Sequence, residues 1–271
     1  MDICVLGLGE VGLPTAKYVL GKGVNVWGYD ISQRAVERAK KIGIVNSTKN
    51  WKQVPLCDAY IICVSTGLKG EEPNLSQVLD ACVKIKGKIS SSAVPLVSIE
   101  STVMPKLCRR VFNEIFEGGV HLVHVPHRYW AEDPKRHGVK QMRVIGAIDA
   151  NSLRAGLRFY RDILGIPLRV VSSADEAEMS KIVENAYRYV QIAFAEELRM
   201  ICEKIGIEFS DVREACNTKW NIDIPEARDG IGGHCIPMGI QYVASLKAFS
   251  TLLKCAMNAD KRYRKWLADK G

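Results

Sequence analysis

No apolar run in this 271-residue chain approaches the roughly 20 residues that a membrane-crossing helix needs. No membrane association is therefore expected. A cleavable leader is not expected either, because Met1-Asp2 is acidic and Ile3 to Leu6 leads straight into glycines. Cysteines are present, but not at metal or redox spacing. The nine (Cys4, Cys57, Cys63, Cys82, Cys108, Cys202, Cys216, Cys235, Cys255) form no Cys-x-x-Cys pair, and their number is odd. Most lie inside apolar strand or helix patterns and read as small buried hydrophobes in a reducing compartment. The protein is expected in the cytoplasm. Internal repeats and low-complexity segments are also missing.

Charge excludes less. The net charge of +8 favours anionic ligands. Part of it sits in Lys261, Arg262, Arg264, Lys265 and Lys270, read as a solvated helix face. No recognition motif or aromatic interleaving accompanies it, so nucleic acid is not an expected partner.

The apolar pattern alternates strand and helix. Residues 2–6 read as a strand, 13–22 as a helix and 25–29 as a second strand ending at Asp30. Further apolar runs recur at 59–64, 95–99, 121–125, 143–147 and 168–171, with helical stretches at 32–41, 74–87 and 105–117. Continuous apolar strands separated by helices predict a doubly wound parallel sheet of the Rossmann type, covered on both faces. After Ser173 the pattern turns helical over 174–206, 209–217 and about 238–268. The expected division is an α/β domain over 1–172 and a smaller all-helical domain over 173–271.

Gly7-x-Gly9-x-x-Gly12, with Glu10 and Val11 between the last two glycines, follows the first strand and opens the first helix. Gly7 permits the tight turn, Gly9 lets a pyrophosphate reach the backbone, and Gly12 lets helix and strand pack closely. The helix N-terminus offers N–H groups and partial positive charge to phosphates. Asp30 is placed to accept from ribose hydroxyls and to repel a 2′-phosphate, which points to NAD rather than NADP. Strand, glycines, helix, strand and acid in this register predict a dinucleotide site.

Four segments carry further chemistry. Ser65-Thr66 and Glu100-Ser101-Thr102 follow strands, where ligands of such sheets gather. Lys181 and Asn185 stand four apart on one helix face. Gly232-Gly233-His234-Cys235 sets a thiol in a glycine-rich turn, and a thiolate can hold an aldehyde for a second oxidation. His121, His124 and His127 are read as sharing one strand face. No metal site is assigned to them or to His234, which has no second ligand at suitable spacing.

In this order the motifs resemble the UDP-glucose/GDP-mannose dehydrogenase family, and within it the UDP-N-acetylhexosamine 6-dehydrogenase branch. The resemblance covers nearly the whole chain. It implies an NAD-dependent enzyme that oxidises a nucleotide-sugar C6 hydroxyl to a carboxylate in two hydride transfers. By resemblance Cys235 is the nucleophile, Lys181 and Asn185 steady charge on the substrate oxygen, and Thr102 helps position a water. Gly232, Gly233, His234 and Arg128 are assigned to the sugar, and Ser65, Thr66, Glu100 and Thr102 to the cofactor. A homodimer through the helical domain is expected.

Three departures stand out. His127 occupies the position of the family's hydrolytic glutamate, so His127 or Glu132 is expected to serve as base. Gly239 replaces the aspartate four residues after the cysteine. The family's second α/β domain would begin where this chain ends; were Gly271 the natural end, a partner chain carrying that domain, a smaller substrate or lost catalysis is expected, and in a piece of a longer protein the end carries no meaning. Two other readings stay open: a single-step dehydrogenase of a small hydroxy acid, and a catalytically impaired NAD-binding relative.

Overall fold

The computed structural model describes residues 1–89, 94–246 and 250–270. Packing divides the chain into two compact units. One comprises Met1–Thr66 with Asn74–Ser180; the other comprises Gly67–Pro73 and the chain from Lys181 onward.

The first unit opens with β1 (Asp2–Leu6), α1 (Gly12–Leu20), β2 (Asn25–Tyr29), α2 (Gln33–Lys41), β3 (Asn46–Thr48) and β4 (Ala59–Ile62). A short hairpin of β5 (Gly67–Lys69) and β6 (Glu72–Asn74) follows. Then come α3 (Ser76–Lys86), β7 (Leu96–Ile99), α4 (Leu107–Glu114), β8 (His121–His124), β9 (Arg143–Ala147), α5 (Ala150–Leu157) and β10 (Leu168–Val170). A π-helical turn, Arg158–Ile163, continues α5.

Eight strands form one sheet in the order β3-β2-β1-β4-β7-β8-β9-β10. Side chains alternate across it, as a two-residue period requires. Ile3 and Val5 of β1 enter one core, while Cys4 and Leu6 enter the other. Both faces are covered, which is why these strands read as unbroken apolar runs. Cys4, Cys57, Cys82, Cys108 and Cys202 are buried, Cys63 is half-buried, and Cys216, Cys235 and Cys255 are exposed.

The sheet departs from the expected all-parallel order at one edge. β9 runs antiparallel to β8, and β10 then runs parallel to β9. Residues 125–142 join β8 to β9 without a helix, and a parallel neighbour needs a crossover that this loop does not supply. The histidines are corrected as well. A spacing of three on a two-residue period sends His121 and His124 to opposite faces; His121 is half-exposed, His124 is buried, and His127 lies past the end of the strand.

α6 (Ala174–Lys204) begins close to the expected boundary, but its first turns pack with the sheet unit. Glu178 accepts from the Lys106 and Cys108 N–H groups at 2.6 and 2.7 Å, capping α4 from outside. Ala177 lies over Gly146, where any side chain would strike the Ser173 carbonyl. The second unit holds the rest of α6 with α7 (Phe209–Asn217), α8 (Cys235–Ser245) and α9 (Thr251–Ala268). Tyr189, Ala193, Ile231, Ile240, Ala256 and Ala259 form part of its core. The helix expected over 238–268 is two helices: the Leu246 N–H closes α8 on the Val243 carbonyl, with no glycine or proline to mark the stop. Residues 247–249, within that expectation, lie outside the described residues.

The sheet unit is pinned by a buried ion pair. The Glu100 and Arg143 side chains are both 0% exposed, with Nη1 of Arg143 3.0 Å from Oε1 of Glu100. Burial alone raises the Glu100 pKa, but Arg143 and His127, with hydrogen bonds from His127 and Tyr160, hold it down at about 2. Because the folded value lies below the ordinary 4.5, the ionised carboxylate stabilises the fold above about pH 4.5. That contribution is lost as pH falls from there through about 2. Arg143→Met is expected to cost about 3–5 kcal/mol at pH 7 by leaving a buried charge unpaired. Urea titrations of both proteins at pH 7 and pH 3 should show the gap between them shrinking on acidification.

Candidate active site

One candidate site, in the sheet unit, is the turn between β1 and α1. β1 has its sequence successor β2 on one side and β4 on the other, so the glycine turn leaves the sheet where strand order reverses. Gly7 has φ +89°, and a Cβ there would lie 2.5 Å from the Cys63 carbonyl oxygen. A Cβ at Gly12 would lie 1.8 Å from the Gly7 carbonyl oxygen, so helix and turn touch only because Gly12 lacks one. Gly9 is different. Nothing lies within 4 Å of its Cβ position, so the space above it is open to a ligand.

No side chain caps α1, whose N-cap is Val11. The Leu13 N–H is taken by the Gly9 carbonyl at 3.1 Å and Pro14 has none, so a phosphate would meet the backbone of Gly9–Gly12 rather than the rest of the first turn. A cleft of about 240 Å³ lies alongside, lined by Gly7, Gly9, Asp30, Val64, Ser65 and Asp80 among others. Asp30 accepts from the Leu8 N–H at 2.7 Å and the Ser32 N–H at 2.8 Å, so it also holds the glycine turn in shape. Each oxygen keeps a second lone pair for a ribose hydroxyl. Glu10 is exposed, Thr66 buried and Thr102 half-buried. Residues and cleft fit a dinucleotide.

Glu100 is not open to a ligand as expected. Its Oε1 takes Arg143 and a short hydrogen bond from Tyr160, which also donates to Ser98 at 2.7 Å. Its Oε2 takes His127 Nε2 and, at 3.5 Å, the Cys63 thiol. His127 Nε2 also lies 2.9 Å from Thr15 Oγ1, whose own hydroxyl donates to the Val11 carbonyl. The hydrogen-bond pattern therefore assigns the Nε2 proton to His127, facing two acceptors. That removes the Nε2 lone pair a base would use, and the ring is only 6% exposed. His127 is thus a member of the Glu100 network. Burial and then the Glu100 charge push the Cys63 thiol and the Tyr160 phenol up, so both stay neutral. Cys63, Glu100 and His127 place ligand atoms within 4.8 Å of one another. A guanidinium already against the carboxylate makes this a hydrogen-bonded cluster, not a cation site.

Glu132, the other candidate base, is exposed on the loop between β8 and β9. Arg128, on the same loop, donates to the Met142 carbonyl at 3.1 Å. Sequence reading missed Arg143, Tyr160 and Thr15. The available signal was a charged residue opening an otherwise apolar strand, Arg143-Val-Ile-Gly-Ala.

A separate candidate site lies in the helical unit. Cys235 is exposed and is the first residue of α8, not part of a free turn. Pro237 falls in the first helical turn, where a missing N–H does no harm. The Asn185 side-chain amide donates to the Cys235 carbonyl at 3.1 Å. Lys181 is half-buried one turn earlier on α6. Gly233 has φ +78°, and His234 Cε1 approaches the Gly67 Cβ position to 3.5 Å. Tyr242 of α8 donates to the Gly67 carbonyl at 2.8 Å, fixing the hairpin on that helix.

Gly239 explains how α6 and α8 come so close. A Cβ there would lie 2.2 Å from Asn185 Cβ, an atom no rotamer can move away. An aspartate at 239 is therefore incompatible with the present seat of Asn185.

Two domains of one family match the chain. Residues 40–164 match the NAD binding domain of the UDP-glucose/GDP-mannose dehydrogenase family, and residues 175–259 match its central domain. The chain belongs to that family. It binds NAD through the first of those domains. The UDP-N-acetyl-D-mannosamine dehydrogenase of Methanococcus vannielii is 34% identical over 262 residues, 89% of this chain and 60% of that protein. The chain thus spans less than two thirds of that curated relative. The UDP-D-ManNAc dehydrogenase structure from Pyrococcus horikoshii superposes with a TM-score of 0.90 at 26% identity, covering 99% of this chain and 70% of that one. A 3-hydroxyisobutyrate dehydrogenase from Mycobacterium tuberculosis, with L-serine, gives a TM-score of 0.74 at 18% identity over 99% of this chain and 94% of that one, a likeness of fold alone.

Two glycine substitutions separate ligand space from packing. Gly9→Ala is expected to leave the melting temperature unchanged yet weaken NAD binding at least about tenfold by calorimetry, since only a ligand meets the added methyl. Gly239→Ala is expected to cost about 1–3 kcal/mol through overpacking. A double-mutant cycle with Asn185→Gly should return a coupling above about 0.5 kcal/mol.

Proposed function

We propose that the chain carries the cofactor-binding and catalytic parts of an NAD-dependent dehydrogenase that oxidises the C6 hydroxyl of a nucleotide sugar to a carboxylate. A UDP-N-acetylhexosamine of the UDP-N-acetyl-D-mannosamine type is the favoured substrate. The observation that carries this reading is the Asn185 amide on the Cys235 carbonyl. It joins the Lys181/Asn185 helix and the cysteine, two motifs 50 residues apart, in one place.

Bound at the glycine turn, NAD⁺ supplies the hydride acceptor. The chain's residues do the rest. Removal of a proton and a hydride from C6–OH gives an aldehyde. The Cys235 sulfur adds to its carbonyl carbon, the thiol proton passing to the oxygen, which forms a thiohemiacetal. Loss of a second hydride and the hydroxyl proton leaves a thioester. Water then adds at the same carbon and the Cys235 thiol departs, leaving the acid. The Lys181 ammonium and the second N–H of the Asn185 amide are assigned to the substrate oxygen through both charge-building steps. Thr102 is assigned to the water, and Gly232, Gly233 and His234 to the sugar. His127 has no part in it, being committed to Glu100.

The small hydroxy-acid reading has only fold likeness behind it. Stoichiometry distinguishes the two. The full chain with NAD⁺ and UDP-N-acetylmannosamine is expected to yield two NADH per acid, and Cys235→Ser to lower acid formation at least about 10³-fold. Turnover unaffected by Cys235→Ser sinks the cysteine mechanism. NAD binding without turnover on any UDP-sugar sinks the dehydrogenase assignment and leaves an impaired relative.

A homodimer through α6 belongs to the same proposal. Val183, Tyr187, Phe194 and Ile201 are 42, 64, 56 and 50% exposed and recur at helical spacing along one stripe. A two-fold pairing would let each copy cover the other's stripe. Phe194→Glu is expected to convert a dimer into a monomer by light scattering, with helix content unchanged. No helix among the described residues is long and apolar enough to cross a membrane.

A further inference from the structure

The loop that delivers Cys235 is gripped just upstream by α9. Ile231 has both of its backbone groups taken. Its N–H donates to Asp260 Oδ1 at 2.9 Å, and its carbonyl accepts a short hydrogen bond from Arg264 Nη2. Arg264 Nε lies 3.1 Å from each Asp260 oxygen, and the Tyr189 hydroxyl from α6 donates to Oδ2 at 3.0 Å. Ile231, Asp260 and Tyr189 are 4, 6 and 5% exposed. Gly230, at φ +92°, lets the chain lie against Arg264, whose side chain would come within 2.9 Å of a Cβ there.

Between that grip and the sulfur stand only Gly232, Gly233 and His234. The two glycines have the widest backbone freedom of any residues, so the segment holds a position only as well as its ends are held. The downstream end is held by the first turn of α8 and by Asn185. The upstream end is held at Ile231. An i, i+4 pair needed only for the stability of α9 has no reason to commit a carboxylate and a guanidinium to the backbone of another segment.

We propose that Asp260 and Arg264, oriented by Tyr189, are positioning residues that fix the Cys235 loop for thiohemiacetal and thioester chemistry. The inference rests on the reading of Cys235 as nucleophile. Arg264 suits the task because its planar fork reaches carboxylate and carbonyl together, which a single ammonium cannot do.

The test uses the full chain with Arg264→Met, Arg264→Lys and the isosteric Asp260→Asn. Three readouts are followed: hydrogen exchange of the segment 228–236, alkylation of Cys235 by iodoacetamide read by mass spectrometry, and NADH formation with UDP-N-acetylmannosamine. In Arg264→Met, exchange of 228–236 is expected to rise at least about tenfold while α6 keeps its protection. Cys235 alkylation should rise with it. The kcat should fall at least about tenfold with the KM for NAD moving less than about twofold, and Arg264→Lys should recover part of the loss. Should Arg264→Met fail to fold, Asp260→Asn is judged on the same three readouts. Unchanged exchange, or a loosened loop with undiminished kcat, overturns the proposal. If the wild-type chain turns over no UDP-sugar, the dehydrogenase reading fails, and unchanged exchange and alkylation in the variants then reject the latch independently.

Discussion

A carboxylate with no exposed surface holds the sheet unit together. Glu100 follows β7, and its partners come from five other places: Arg143 at the start of β9, Tyr160 in the π-helical turn, His127 after β8, Cys63 at the end of β4 and, through His127, Thr15 in α1. Taking a charge out of water is costly, and only a full set of donors with a fixed cation offsets it. The geometry is therefore unforgiving. Each segment must arrive with its donor aimed inward, or the carboxylate is left worse off than in the unfolded chain. Because Thr15 and Cys63 also border the glycine turn, the cofactor cleft inherits its rigidity from this network.

The reversal of β9 belongs to the same design. Running antiparallel to β8, β9 begins near the carboxyl ends of the parallel strands, the end where Glu100 lies. A parallel strand in that place would start at the opposite end and carry Arg143 away from its partner. The helical unit solves a similar problem with less charge. There, close approach of α6 and α8 depends on a missing side chain at Gly239, and α9 secures the loop through Asp260 and Arg264.

What could be read from the sequence was what is settled locally. Gly7, Gly9 and Gly12 answer to neighbours within one turn, and the buried strands announce themselves because both their faces are apolar. The cysteine loop and the Lys181/Asn185 pair were legible as motifs, and the structure adds the hydrogen bond between them. The role of His127 was not legible, because its partner Glu100 is set by the tertiary fold. Nor was the direction of β9, which depends on a loop having no crossover helix. The break between α8 and α9 carries no glycine or proline. Asp260 left a faint trace: it shares the buried stripe of α9 with Ala256, Ala259 and Tyr263, a register where a carboxylate needs a reason.

The contact between Gly239 and Asn185 also limits the routes open to this lineage. A mutation that puts an acid at 239 meets the Cβ of residue 185 head-on, whatever the chemistry of the acid. Residue 185 cannot make room unless it becomes glycine, which removes the amide from the Cys235 carbonyl, or α6 shifts, which displaces it. The two sites are locked to one another, so this arrangement is a valley that single substitutions do not leave.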